Sequence, residues 1–303
     1  MKVNEKVSSL IVNNLHKILA VGGVLGTAYL YIEDTYLKNT KYYIDSNKLP
    51  DSFDGFKIMQ ISDFHNTRIG SLSEQILKSI RRERPNIIVI TGDFIDSNRL
   101  KLWVSIDLIS RIKRYAPIYY VTGNHEYCVP DSYEILKSEL LKSNVIVLEN
   151  SVDELYKNGE HIDIVGVNDP RIFNAKAVDT AELFQRQLDC IKYDKDSYTI
   201  LLAHHPELFL TYFNNKVDLA ITGHAHGGQI RIPFVGGLYS PGQGIFPRYT
   251  SGLHKIENKG VETQMVVSRG IGNSKFPFRV NNRPELVTIV LRKADGSSVV
   301  SPN

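Results

Sequence analysis

Cysteine is scarce in this 303-residue chain: Cys128 and Cys190 are the only two, and they form no CxxC pair. That excludes a disulfide framework and a thiolate metal site, and both read as structural residues. Charge of one sign is lacking as well. Lys and Arg number 36 against 33 Asp and Glu, a formal net charge of +3, and no basic run follows a groove-like pattern, so there is no nucleic-acid footprint. No protein partner is indicated. The sequence holds no HExxH helix of the kind a metalloprotease uses, no twin-arginine pair and no internal repeat. Gly22, Gly23 and Gly26 cluster, but no strand precedes them and no acidic partner is placed downstream, which rules out a dinucleotide-binding loop.

What remains is an ordinary globular composition, 42% apolar and 23% charged, long enough for a large core. The first fifty residues stand apart. ILAVGGVLGTAYLYI (18–32) carries no charge and is flanked by Lys17 and by Glu33-Asp34. As a helix it measures roughly 22 Å against a hydrocarbon core of roughly 30 Å. Three readings follow: an uncleaved membrane anchor, the apolar part of a signal peptide, or a core helix. Gly26-Thr27-Ala28 makes a poor cleavage site, so the expectation is a single anchor in the cell membrane, with the remainder on the extracytoplasmic side. Lys2, Lys6 and Lys17 before the segment balance Lys38, Lys41 and Lys48 after it, so charge specifies the orientation weakly. The expected division is an anchor and linker over 1–50, a catalytic domain over 51–296 and a tail over 297–303. A fragment starting near Tyr42 is expected to be soluble.

After Pro50 short apolar strands alternate with helical stretches, an α/β rhythm. The spacing predicts strands over 56–62, 86–91, 117–122, 145–148, 198–203, 218–222, 264–268 and 286–291, and a hairpin turning at Asn158-Gly159. Helices are predicted from a capping box at Ser71 and Glu74 to Arg84, over 102–115, from Tyr133 to about Lys142 and from about Thr180 to Ile191. The Gly- and Pro-rich stretch 231–249 reads as irregular.

Five predicted strands end in nitrogen and oxygen ligands: SDFH (62–65), GDFID (92–96), GNHE (123–126), AHHP (203–206) and GHAH (223–226). One such cluster would mean little, because polar loops are common; five at successive strand ends mark a site. Imidazole mixed with carboxylate and amide oxygen suits Mn, Fe or Zn, where Mg or Ca would take an all-oxygen shell. His161, His16 and His254 read as structural.

These five blocks, in this order, resemble the calcineurin-like metallophosphoesterase family over about residues 53–291. The resemblance implies a four-layer α-β-β-α sandwich and a two-metal centre, with Asp63, His65 and His226 on one divalent cation, Asn124, His204 and His224 on the other, and Asp93 bridging. Two cations some 3.5–4 Å apart need a shared anion and lower the pKa of a water between them. The resulting hydroxide would attack phosphorus in line, with His125 protonating or stabilising the leaving oxygen. His205 is expected behind the site, and Asp96 either orients His125 or caps the next helix. Residues 227–254, together with SRGIG (268–272) and NRPEL (282–286), look like a membrane-associated bacterial branch of the family. Some members of that branch act on lipid-linked substrates such as UDP-diacylglucosamine. The expected activity is a phosphodiesterase or pyrophosphatase, on a lipid or envelope substrate; the alternative is a metal-binding scaffold of the same fold without turnover. Phe234, Tyr239, Phe246 and Tyr249 suit a bilayer boundary and equally suit packing of the long loop.

Overall fold

The structure, a computed structural model, describes residues 2–68, 71–170, 179–273 and 276–294, with only the helix backbone over 2–13. Its first element corrects the reading of the apolar run. Helix α1 spans Lys2–Thr35, 34 residues, because no glycine or proline interrupts residues 2–21 and Asn13, Asn14, His16 and Lys17 are tolerated in a helix. The apolar span within it, Asn14–Thr35, is 22 residues long, or roughly 33 Å. Its side chains are exposed from Asn14 to Tyr29, which excludes the core-helix reading.

The boundary at residue 50 is also corrected. Strand β1 (Lys38–Ser46) pairs in parallel with the last strand of the chain, so the supposed linker is part of the folded domain. Its alternating polar sequence buries only Ile44 fully, as an edge strand does, and an edge strand gives little apolar signal. A fragment starting near Tyr42 would lose half of β1; one starting at Tyr36 keeps it.

The chain then follows the expected rhythm: β2 (Lys57–Ile61), α2 (Leu72–Glu83), β3 (Ile87–Thr91), α3 (Leu102–Ile112), β4 (Ile118–Val121), α4 (Asn124–Cys128), α5 (Pro130–Lys142) and β5 (Ile146–Val147). The predicted hairpin forms from β6 (Ser151–Lys157) and β7 (Glu160–Gly166), with Asn158 and Gly159 both at positive φ. Next are α6 (Thr180–Asp189), β8 (Thr199–Leu202), α7 (Phe209–Asn214) and β9 (Leu219–Thr222). The stretch expected to be irregular holds two small hairpins, β10 (Arg231–Ile232) with β11 (Gly236–Gly237), and β12 (Tyr239–Ser240) with β13 (Gly244–Ile245). Strands β14 (Gly252–Asn258), β15 (Val261–Val267) and β16 (Glu285–Lys293) complete the described part. The capping box at Ser71 does not form: the Ser71 hydroxyl accepts from Gln75 instead of capping the helix. The tail over 297–303 lies outside the described residues.

Two six-stranded sheets result, in the orders β1-β16-β2-β3-β4-β5 and β14-β15-β9-β8-β7-β6. Strands β2, β3 and β4 pair in parallel with one another, as do β8 and β9, while β16 runs antiparallel to β2; parallel strands buried on both faces need continuous apolar runs. Ile87, Ile88, Val89 and Ile90 supply one. Three separate apolar cores define the layers. Ile76, Ile80, Leu108 and Leu136 pack helices on the first sheet; Ile58, Val89, Ile200 and Val266 fill the space between the sheets; Phe184, Phe209 and Tyr212 pack helices on the second. The layering is therefore α-β-β-α, as expected. Gln60 ties the sheets together at the site end, its amide donating to the Thr91 hydroxyl and the Thr222 carbonyl.

Candidate metal centre

Loops after β2, β3, β4, β8 and β9 carry the polar residues singled out in the sequence to the carboxyl ends of the two facing sheets. They are held tightly. The Asp63 N–H donates to the Gly92 carbonyl, the His65 N–H to that of Asp93 and the Gly223 N–H to that of His204. Gly92 has φ +86, and a Cβ there would stand 2.6 Å from the His204 ring and 2.7 Å from the Gly123 backbone, so only glycine lets these loops touch. Asp63, His65, Asp93, His224 and His226 all have positive φ, a conformation that costs a non-glycine residue of order 1–3 kcal/mol. Strain repeated at five buried polar residues is a mark of a functional site.

The donor atoms of the expected ligands converge as two groups that share one residue, and two further groups adjoin them, one of His65, Asp96 and His125 and one of His205, Glu207 and His224. Asp63, His65, Asp93 and His226 each offer an atom within 4.8 Å of the others, and Asp93, His204 and His224 do the same. His65 Nε2 faces His226 Nε2 at 3.1 Å, and His224 Nδ1 faces His204 Nε2 at 3.2 Å. Asp93 Oδ2 lies 3.3 Å from His204 Nε2 and 3.7 Å from His65 Nε2, while Asp63 Oδ1 lies 3.4 Å from His226 Nε2. Two donors each about 2.1 Å from one cation stand roughly 3–3.5 Å apart, so these spacings fit metal ions. Asn124 opens α4 beside Asp93, and its Oδ1 is buried with no hydrogen-bond partner. A cation would satisfy it.

Protonation follows from the same packing. Burial disfavours an imidazolium at His204, but Asp93 and then Asp63 outweigh it and raise its pKa to about 10. With no cation the carboxylates thus draw a proton onto their neighbour. Burial holds His65 and His226 below the usual histidine range, in the neutral form that binds metals. The tautomer of His204 is set by its Nδ1–H, which donates to the Thr91 carbonyl at 2.8 Å and leaves Nε2 facing the centre.

His125 stands beside both groups. Its backbone N–H donates to Asp93 Oδ1 at 2.8 Å, and its Nε2 lies 3.9 Å from Asp93 Oδ2. The Ser97 N–H donates to its Nδ1 at 3.1 Å, so the neutral ring carries its proton on Nε2, facing the centre. Of the two roles considered for Asp96 the cap does not form, since α3 starts at Leu102 with no side-chain cap; the carboxylate instead lies beside His125 and holds its own loop. Its Oδ1 lies 3.5 Å from His125 Nδ1 and accepts from the Asn98 N–H, and its Oδ2 accepts from Arg99.

A calcineurin-like phosphoesterase family model matches residues 56–228, over half of the chain. The chain belongs to the calcineurin-like phosphoesterase family. It is 29% identical over 282 residues to an uncharacterized metallophosphoesterase, YkuE, of Bacillus subtilis (strain 168), covering 91% of this chain and 93% of that protein. It is 28% identical over 241 residues to the phosphodiesterase YaeI of Escherichia coli (strain K12), covering 78% and 82%. It is 26% identical over 263 residues to a transmembrane protein with metallophosphoesterase domain of Danio rerio, covering 83% of this chain and 56% of that protein. The chain is therefore a metal-dependent phosphoester hydrolase, and the scaffold alternative gives way.

Two features of the phosphoesterase were not foreseen. The Glu126 carboxylate, fully buried, accepts four backbone N–H groups, from Asp93 (3.0 Å), Phe94 (2.8 Å), Ile95 (3.2 Å) and Gly123 (2.7 Å), and so clamps the loops after β3 and β4. Burial and then Asp93 push its pKa up to about 6. The other is the pair of carboxylates that flanks His205, the residue expected behind the site. His205 Nε2 lies 2.6 Å from Asp169 Oδ2 and its Nδ1 2.8 Å from Glu207 Oε1. Its ring packs 4.4 Å from that of His224. The position of His205 in AHHP was a signal; Asp169 carried none, since it lies 36 residues from His205, and Glu207, two residues on, reads as an ordinary loop carboxylate.

Proposed function

We propose that the phosphoesterase hydrolyses phosphodiesters or pyrophosphates at a pair of divalent cations, Mn, Fe or Zn. Asp63, His65 and His226 hold one; Asn124, His204 and His224 hold the other; Asp93 bridges. The observation that carries this is that Asp93 belongs to both donor groups, its Oδ2 between His65 on one side and His204 on the other. When bound, two such cations activate water and take up charge on the phosphoryl oxygens. The protein's own part is positional. Glu126 fixes the Asp93 loop, Thr91 orients His204, and His125 turns its Nε2–H toward the centre, where it donates to the leaving oxygen. Bis(p-nitrophenyl) phosphate is the expected model substrate. Its hydrolysis should stop on chelation; undiminished turnover in excess chelator would sink the proposal.

Metal loading should release protons. Metal-free His204, with its pKa raised to about 10, is charged at neutral pH and must lose its proton to bind, whereas His65 and His226 are already neutral. Calorimetry in buffers of different ionisation enthalpy should show net proton release near pH 7, with the share from His204 lost well above pH 10 and an affinity that rises with pH between. Proton uptake, or no release, would contradict this.

We further propose that α1 anchors the enzyme in the cell membrane, with the domain on the extracytoplasmic side and a lipid or envelope phosphoester as substrate. Leu15, Ile18, Leu19, Val21, Val24, Leu25, Tyr31 and Ile32 are all exposed. At roughly 1.5–3 kcal/mol for each fully buried side chain, a bilayer is the surrounding that suits them.

A further inference from the structure

We infer that the loops beside the metal centre, tipped by Phe234, Phe246, Phe276 and Phe278, dip into the membrane that α1 spans. The enzyme would then work with its site held against the lipid headgroups. The inference rests on the anchor proposed above.

The root of α1 is bonded to the catalytic domain, not hung from a linker. Glu33 pairs with Arg283 at 2.9 Å and accepts the Asn282 N–H at 2.7 Å. Asp34 accepts from the Arg279 N–H and the Asn273 amide. The Tyr29 hydroxyl donates to Asn281 Oδ1 and accepts the Asn281 N–H. Asn273 and residues 279–283 are thereby fixed to the last two turns of the helix, where an inserted helix leaves the hydrocarbon. Asn282 also reaches the site, its amide donating to the carbonyls of His226 and Gln229. Two hydrogen bonds therefore separate the backbone of His226 from Glu33.

Exposed apolar side chains lie beside this root. Phe276 and Phe278 flank Pro277, in the segment that Asp34 holds. Ile230 bridges Val280, and Asn281 donates to the Arg231 carbonyl, which fixes the β10–β11 hairpin next to Tyr29. At its tip Phe234 is fully exposed and Val235 is exposed too. The next hairpin, joined through Leu238, presents Ile245 and Phe246. Phe234 and Phe246 have φ of +65 and +51, so two large apolar rings are held in a disfavoured backbone conformation that turns them away from the protein. Burial within the fold explains neither. Exposed phenylalanines continuous with the apolar surface of a bilayer-length helix are the composition of an interfacial foot, in which rings settle at headgroup depth.

The test uses the full chain in vesicles of phosphatidylethanolamine and phosphatidylglycerol. Trp103, exposed on α3, is the only tryptophan, so Trp103→Phe supplies a silent background. Phe234→Trp or Phe246→Trp then reports on a loop, and Val24→Trp on the helix. The expected result is blue-shifted emission from all three probes, quenched at least about twofold when brominated lipid replaces the unbrominated one. A quenched helix probe with water-like, unquenched loop probes would overturn the inference and leave the anchor standing. If no probe is quenched, the anchor and the inference both fall.

Discussion

Asp93→Asn is expected to slow hydrolysis of bis(p-nitrophenyl) phosphate by about a hundredfold or more, and Asp93→Ala by about a thousandfold or more. The two substitutions separate charge from shape. Asparagine tolerates the left-handed φ of +48 at this position, and its amide oxygen can still accept the His125 N–H that Asp93 Oδ1 accepts now. It loses the negative charge that two cations need between them. Alanine loses the ligand atom and the acceptor as well, and is strained at positive φ. Metal content by mass spectrometry should fall from two ions per chain to one or fewer in both, while circular dichroism of the asparagine variant stays that of the parent. Full metal content with full activity in Asp93→Asn would mean that Asp93 bridges nothing.

His125→Ala should separate chemistry from metal binding. His125 is not among the residues assigned to either cation, although its ring packs 4.5 Å from that of His65; Ser97 and Asp96 line one edge of the ring and Nε2 is presented on the other. Loss of a positioned proton donor costs roughly a hundred- to ten-thousandfold, and the cost depends on how much the leaving oxygen needs the proton. A p-nitrophenolate group departs readily, so its ester should lose least; an alkyl phosphodiester should lose at least about tenfold more. The metal content of the variant should stay at two. Equal losses on both esters would show that His125 acts on something other than the leaving group.

Legibility in the sequence followed burial. Strands β2, β3, β4, β8 and β9 are parallel and covered on both faces, so each had to be an apolar run, and the ligands stand out because they follow where the run stops. The bridging place proposed for Asp93 came from the family pattern. Helix α4, the strained φ values and the Glu126 clamp were not legible, because they depend on how two loops meet. The edge strand β1 was missed for the opposite reason: half of it faces water, so its pattern is that of a linker. Helix α1 outruns its apolar stretch because nothing in residues 2–17 terminates a helix, while Asn13, Asn14, His16 and Lys17 interrupt the apolar signal. The bonds from Glu33 to Asn282 and Arg283 join residues about 250 positions apart, and no local pattern announces such a contact.

Activity measured against equivalents of metal returned to the stripped full-length chain is the most direct measurement of the two-cation centre. Protein freed of metal by chelation and dialysis should not hydrolyse bis(p-nitrophenyl) phosphate, and titration with Mn should restore turnover to a plateau at two equivalents per chain. A plateau at one equivalent, or full turnover in the stripped protein, would contradict a centre in which Asp93 is shared between two cations.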